Sequence, residues 1–327
     1  MSKTIFEKWY EISLAVKNSN SLQISNYFLS LNAKTKLYLG KTKDGQLLYI
    51  EFEPYALANV ELPALKGIEL TIVEEKRIDP TKKYIKIKNN TSNEELFMAF
   101  SSSLCDALSK SNDYYSAYIA MNKVIKDYRE FFSNKNSSLS PQAEQGLCAE
   151  LLELKKLIIN KGEKTVFSWM GPDKNKRDFL FNKSALEIKS SLGQIDPSIE
   201  ISNENQLDQS YPLSLDSLFL KVYILEKVTN GFNIISIANE ILELLSSLEC
   251  KSSFIANLMK MKIDINSYIP QCHFSLQYCK QYLVDNMFPK ITRNILPCGV
   301  FDVNYRIHLD VIKDFEITDE VMYGRLQ

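Results

Sequence analysis

Along the first eighteen residues the apolar positions recur at helical spacing. Ile5, Trp9, Ile12 and Val16 share one stripe, which predicts a helix over residues 4–18. From about residue 36 the period drops to two. The run KLYLGKTKDGQLLYIEF sets Asp44-Gly45 between two alternating stretches, a hairpin signal, and LKGIELTIVEEKRI and KYIKIKN carry strand character to about residue 88. The pattern predicts an antiparallel sheet of four or five strands. Helical spacing returns over residues 92–133 through Leu96, Phe97, Phe100, Leu104 and Leu108, with a polar break from Lys110 to Asp113.

Residues 133–145, SNKNSSLSPQAEQ, are polar and read as a linker, the first domain boundary. GLCAELLELKKLIINKG then predicts a helix with Leu147, Leu151, Leu154, Leu157 and Ile158 on its apolar face and Gly162 as its stop. Beyond a charged loop, PDKNKR, the pattern is strand, turn and strand in DFLF, NKS and ALEIKSS, followed by strands in SIEIS and LFLKVYILEKV. Residues 236–287 read as mostly helical, and VFDVNYRIHLDVI alternates like a strand. Three parts are therefore expected: 1–135, an antiparallel sheet with helices that binds DNA or a partner; 143–235, the site-bearing core; and 236–327, mostly helical and ending in a strand. The fold class is α/β (α+β), with a mixed central sheet flanked by helices.

Composition narrows the class. The 327 residues are 45% hydrophobic and 24% charged, as in a folded globular protein. The 39 basic and 40 acidic residues leave a net charge of −1, so a polyanion would have to be held by a local basic surface. The six cysteines lack paired CxxC spacing, which fits reduced thiols, and Cys272, His273 and Cys279 read as core of a helical segment, not as a zinc site. No run approaches the ~20 apolar residues of a membrane span, and the N-terminus lacks a signal peptide's apolar centre. A cytoplasmic protein with no membrane partner is expected.

Candidate chemistry lies in RDFLFNKSALEIKSS. Residues two apart on a strand share a face, so Glu187 and Lys189 point together while Leu186 and Ile188 point the other way. If DFLF pairs with ALEIK through the NKS turn, Asp178 comes alongside Glu187. Two crowded carboxylates need a compensating cation. Lys189 supplies one positive charge. A hard divalent ion on Asp178, Glu187 and the backbone carbonyl of Ile188 would supply the rest, and Lys189 could then orient water at a phosphate. A surface salt bridge between cross-strand neighbours explains the same three charges.

Asp, a gap of eight residues, and then Glu187-Ile188-Lys189 resembles the motif of the PD-(D/E)XK nuclease superfamily, with Arg177-Asp178 in place of Pro-Asp. The order QGLCAELLELKKLI, Trp169, RDF, EIKSS and IEISNENQLD resembles a bacterial family of that superfamily whose members sit in restriction or phage-defence gene groups. The resemblance covers roughly residues 143–225. It implies a restriction-endonuclease-like core, a DNA endonuclease dependent on Mg²⁺ (with Mn²⁺ as a substitute), double-stranded DNA as partner, and a methyltransferase or ATPase beside it. It also implies Gly146 and Glu150 as a Gly-x-x-x-Glu helix element, with Glu150 a catalytic residue and further metal ligand, and Gln206 as a site residue.

Gln206, Ser190, Ser191, Arg177 and Lys176 are candidates for holding DNA phosphates. In the alternative readings Gln206 starts a helix and Glu150, like Glu153, is a solvent-facing acid; Trp169 reads as core, with base stacking as its alternative. Cleavage of two strands makes a homodimer attractive. The alternative function is a catalytically inactive DNA-binding or scaffolding subunit.

Overall fold

The fold was obtained as a computed structural model, which describes residues 5–19, 21–58, 60–64, 67–90, 94–133, 139–171, 177–193, 198–210, 214–265 and 267–326. The chain divides into two compact units, 1–135 with 251–263, and 136–250 with 264–327.

The first unit opens with α1 (Ile5–Ser19), whose stripe of Ile5, Trp9, Ile12 and Val16 is buried. Five strands follow: β1 (Gln23–Tyr27), β2 (Leu37–Thr42), β3 (Gly45–Phe52), β4 (Ile68–Val73) and β5 (Lys83–Asn89). They form one sheet in the order β1-β2-β3-β5-β4, with all pairs antiparallel. The β2–β3 hairpin turns at Asp44-Gly45, where Gly45 has φ 144°, a conformation open to glycine. Leu39, Leu48, Ile50, Ile85 and Ile87 on one face meet α2 (Glu94–Leu108) and α3 (Tyr114–Ser133) in a common core.

The second unit starts with α4 (Pro141–Lys161). Ser140 caps it by accepting from the Ala143 N–H, with Pro141 at the first helical position, and Gly162 ends it at φ 94°. The helix thus begins inside the stretch read as linker, because Ser-Pro is a start signal that outweighs the polarity around it. Next come β6 (Phe179–Leu180), β7 (Ser184–Leu192), β8 (Ser198–Ile201) and β9 (Ser217–Val228). Then follow α5 (Ile234–Leu244) and α6 (Leu248–Lys260), the latter in the first unit from residue 251 onward. The chain ends with β10 (His273–Leu283), β11 (Tyr305–His308), β12 (Glu316–Ile317) and α7 (Asp319–Arg325).

The central sheet has the order β12-β10-β9-β7-β6 and is mixed, since β7 and β9 run parallel while the other neighbours are antiparallel. β8 and β11 form a separate two-stranded sheet. The mixed sheet and the helices around it give the α+β class.

Residues 273–283, read as helical, are a strand beside β9. The cause of the misreading is a register shift between Leu276 and Tyr278, which breaks the period of two and leaves a pattern typical of neither element. The stretch 236–327 is accordingly not a mostly helical region: part of α6 packs in the first unit, and β10 and β12 complete the central sheet.

Cys272 is buried at the entry of β10, not in a helix, and all six cysteines are free. Among the described residues no helix is long and apolar enough to cross a membrane.

Candidate functional site

The site forms where β6 gives out. β6 and β7 pair Phe179 with Leu186 and Leu180 with Ala185, so the next step of that register sets Asp178 opposite Glu187. Residues directly opposite on antiparallel strands point to the same face. Asp178 stands just before the strand, and its Oδ2 accepts the Ile188 N–H at 2.6 Å. That N–H would otherwise be an orphan on the side of β7 that two-residue β6 fails to cover. The N–H and C=O of one strand residue point to the same side, so the Ile188 carbonyl also lies toward this gap.

Glu187 is 1% exposed, yet it sits in a strand flanked by apolar β9. Lys189 Nζ approaches its Oε1 at 3.0 Å. The approach is an ion pair, and the second carboxylate oxygen, Oε2, receives no hydrogen bond. The ammonium also donates to Gln206 Oε1, at 2.9 Å.

A buried carboxylate oxygen without a donor is costly unless a cation completes it. The open Oε2 of Glu187, with Asp178 across the register, fits a hard divalent ion. Among the described residues no three His, Cys, Asp or Glu side chains form a cage by themselves. A cation at this place would have two carboxylates and a backbone carbonyl as its donors.

Glu150 approaches from α4. Its Oε2 accepts the indole N–H of Trp169 at 2.8 Å. Trp169 is 1% exposed, and a Cβ on Gly171 would overlap the Glu150 carboxylate. The Trp-Met-Gly segment thus fixes the acid by a donor and by a missing side chain.

Charges in this small volume shift one another. Burial, then the repulsion of Glu187 and Glu150, pushes the Asp178 carboxyl well above its usual range, against the opposing pull of Lys189 and the Ile188 N–H. Burial also raises Glu187, with Lys189 and Arg177 opposing. Glu150 is pushed up to about 7, first by burial and then by Glu187, while Trp169 and Lys189 hold it back. For Lys189 burial pulls downward, but the attraction of Glu187, Asp178 and Glu150 wins and the pKa rises. The ammonium stays charged.

The other candidates separate. Gln206 lies in a turn, not a helix, and its Oε1 accepts from both Lys189 and the Ser202 N–H at 2.8 Å. Its carbonyl is occupied in aiming the lysine. Arg177 is buried and donates to the backbone carbonyls of Asn205 and of Asp208, the latter at 2.5 Å. It braces the turn on both sides of Gln206 and is not presented to a phosphate, a correction to the expected role.

Ser190 faces α4, where its Oγ accepts from Gln145 Nε2 at 3.1 Å, while Ser191 shares the face of Glu187 and Lys189. Lys176 lies outside the described residues. Glu153, expected at the surface, is fully buried.

Sequence reasoning missed Gly171 and the indole–carboxylate bond. The only signal was the short Trp-Met-Gly run ahead of the Asp strand.

A family model described as "Putative PD-(D/E)XK family member, (DUF4420)" matches residues 7–310. No curated protein and no solved structure matches the chain.

Proposed function

The chain belongs to the PD-(D/E)XK family, and from that premise we propose that it is a metal-dependent endodeoxyribonuclease that hydrolyses phosphodiester bonds of double-stranded DNA as a restriction or phage-defence component. The observation that carries this reading is the buried Glu187 carboxylate, with its Oε2 unsatisfied, set opposite Asp178 and paired with a charged lysine.

Asp178, Glu187 and the Ile188 carbonyl would hold Mg²⁺, with Mn²⁺ as a substitute, because hard cations take oxygen ligands. A bound ion supplies Lewis acidity toward a phosphate oxygen and lowers the pKa of water. Lys189 keeps its proton, so it acts as a donor: it orients the attacking water and stabilises negative charge growing on the phosphate. Gln206 fixes the direction of that donor. Glu150, at about 7, is the acid of the site that can exchange a proton near neutral pH.

Cleavage of unmodified plasmid with Mg²⁺ tests the reading. Asp178→Ala and Lys189→Ala should each lower the rate by about a hundredfold or more. Equal cutting by wild type and both variants, or cutting that persists in EDTA, rules it out.

A further inference from the structure

The loop 284–304, between β10 and β11, is long for a connection whose only regular piece is the short 3-10 turn Arg293–Ile295. It is pinned at both ends. Val284 and Phe288 are buried in the core of the second unit, and the Phe288 ring packs on Phe315 at 5.1 Å. At the return, the Val303 N–H donates to Glu204 Oε2 at 3.0 Å, and the Ile291 N–H donates to the Tyr305 hydroxyl at 3.1 Å. Between these anchors the loop holds out large apolar side chains: Met287 is 82% exposed, Ile295 65% and Phe301 69%. Folding alone does not call for this, since a pinned loop could end in polar residues.

The location of the loop is specific. Glu204, which holds it, is two residues from Gln206, which aims Lys189. Lys290 is within electrostatic reach of Arg177 and Asp208, the brace and the end of that same turn. The Val303 anchor and Lys290 thus lie beside the turn that carries Gln206, and a duplex whose phosphate lies at Lys189 would have its flank near them.

We propose that loop 284–304 is a DNA-contacting arm, in which Met287, Ile295 and Phe301 meet sugars and base edges of the duplex beside the cut while Lys290 meets a backbone phosphate. The proposal rests on the nuclease reading above and adds where the substrate's flank lies. Apolar side chains of this kind wedge against base steps in DNA-bending proteins. The loop carries Lys290 and Arg293 against Asp285 and Asp302, and its neighbours Asp208 and Glu204 are acidic. Its contribution is therefore chiefly contact and not long-range attraction, which the salt dependence of binding can separate.

The test is anisotropy of a labelled DNA duplex in Ca²⁺, across a salt series, for wild type and the double variant Ile295→Ser, Phe301→Ser. Both positions are exposed, and an unchanged Tm verifies the fold. The variant should bind about tenfold or more weakly with the same salt slope. Wild-type affinity in the variant overturns the arm and leaves the nuclease reading intact. Unchanged DNA affinity with loss of a dimer in sedimentation gives the tip to a second copy of the chain and overturns the arm equally. A wild type that binds no duplex removes the nuclease reading and the arm with it.

Discussion

Two neighbouring parallel strands each bury a lysine against a glutamate, and the two clusters end differently. On β9, Lys221 is fully buried, and its ammonium contacts Glu153 at 2.9 Å, Asp319 at 2.7 Å and the Tyr323 hydroxyl at 3.1 Å. Glu153 in turn accepts from the Tyr223 hydroxyl at 2.6 Å and the Tyr323 hydroxyl at 3.0 Å. Both oxygens of that carboxylate are satisfied.

On β7, Lys189 pairs with Glu187 and donates to Gln206, and Glu187 Oε2 lacks a donor. The two glutamates are alike in burial, whereas the Lys189 side chain is 14% exposed and that of Lys221 is fully buried. Satisfaction differs as well, and it separates a cluster that joins α4, β9 and α7 from one with a buried carboxylate oxygen left without a partner.

The contrast is sharpest for the lysines. Lys221→Met strands the buried Glu153 and should cost about 3–5 kcal/mol in denaturant unfolding. Lys189→Met should cost less than about 2 kcal/mol, because Glu187 already sits in a site that favours its protonated form and Arg177 remains nearby. Equal losses at the two lysines would erase the distinction.

The glutamates should respond with opposite sign. Glu187→Gln removes a buried carboxyl with one unsatisfied oxygen and should stabilise the metal-free protein by about 1 kcal/mol, whereas Glu153→Gln should destabilise it by a similar amount or more. Mg²⁺ should raise the Tm of wild type and leave the Glu187→Gln variant unmoved. A Glu187→Gln variant that is less stable than wild type without metal would mean that the carboxylate is structurally satisfied after all.

The smallest effect is that of pH. Glu150 rises from 4.5 to about 7 on folding, so between those values the folded chain holds a proton that the unfolded chain has released. Its contribution to stability is fully present below 4.5 and is lost as pH rises through about 7, and Asp178 and Glu187, also raised, act in the same direction. In EDTA the Tm should fall across that window, and Glu150→Gln should flatten the slope. A Tm that climbs over the same range would contradict the assignment.

What the sequence alone determined was local. The stripe of α1, the Asp44-Gly45 hairpin, the turn between β6 and β7, and the shared face of Glu187 and Lys189 follow from periods of 3.6 and 2 and from turn chemistry, all of which act within a few residues. β10 was illegible because its irregularity hides the period.

The partners that decide function were settled only by the tertiary structure. A lone lysine inside LFLKVYIL announces that some acid must meet it, since its ammonium cannot be buried unpaired. Nothing in the chain says that Glu153 and Asp319 do so, 68 residues before it in one case and 98 after in the other. Likewise Arg177 and Gln206 looked like phosphate ligands by type, and packing turned one into a brace and the other into a guide for Lys189. Hydrogen-bond satisfaction depends on which segments meet in space, and that is fixed by long-range packing, not by any local spacing.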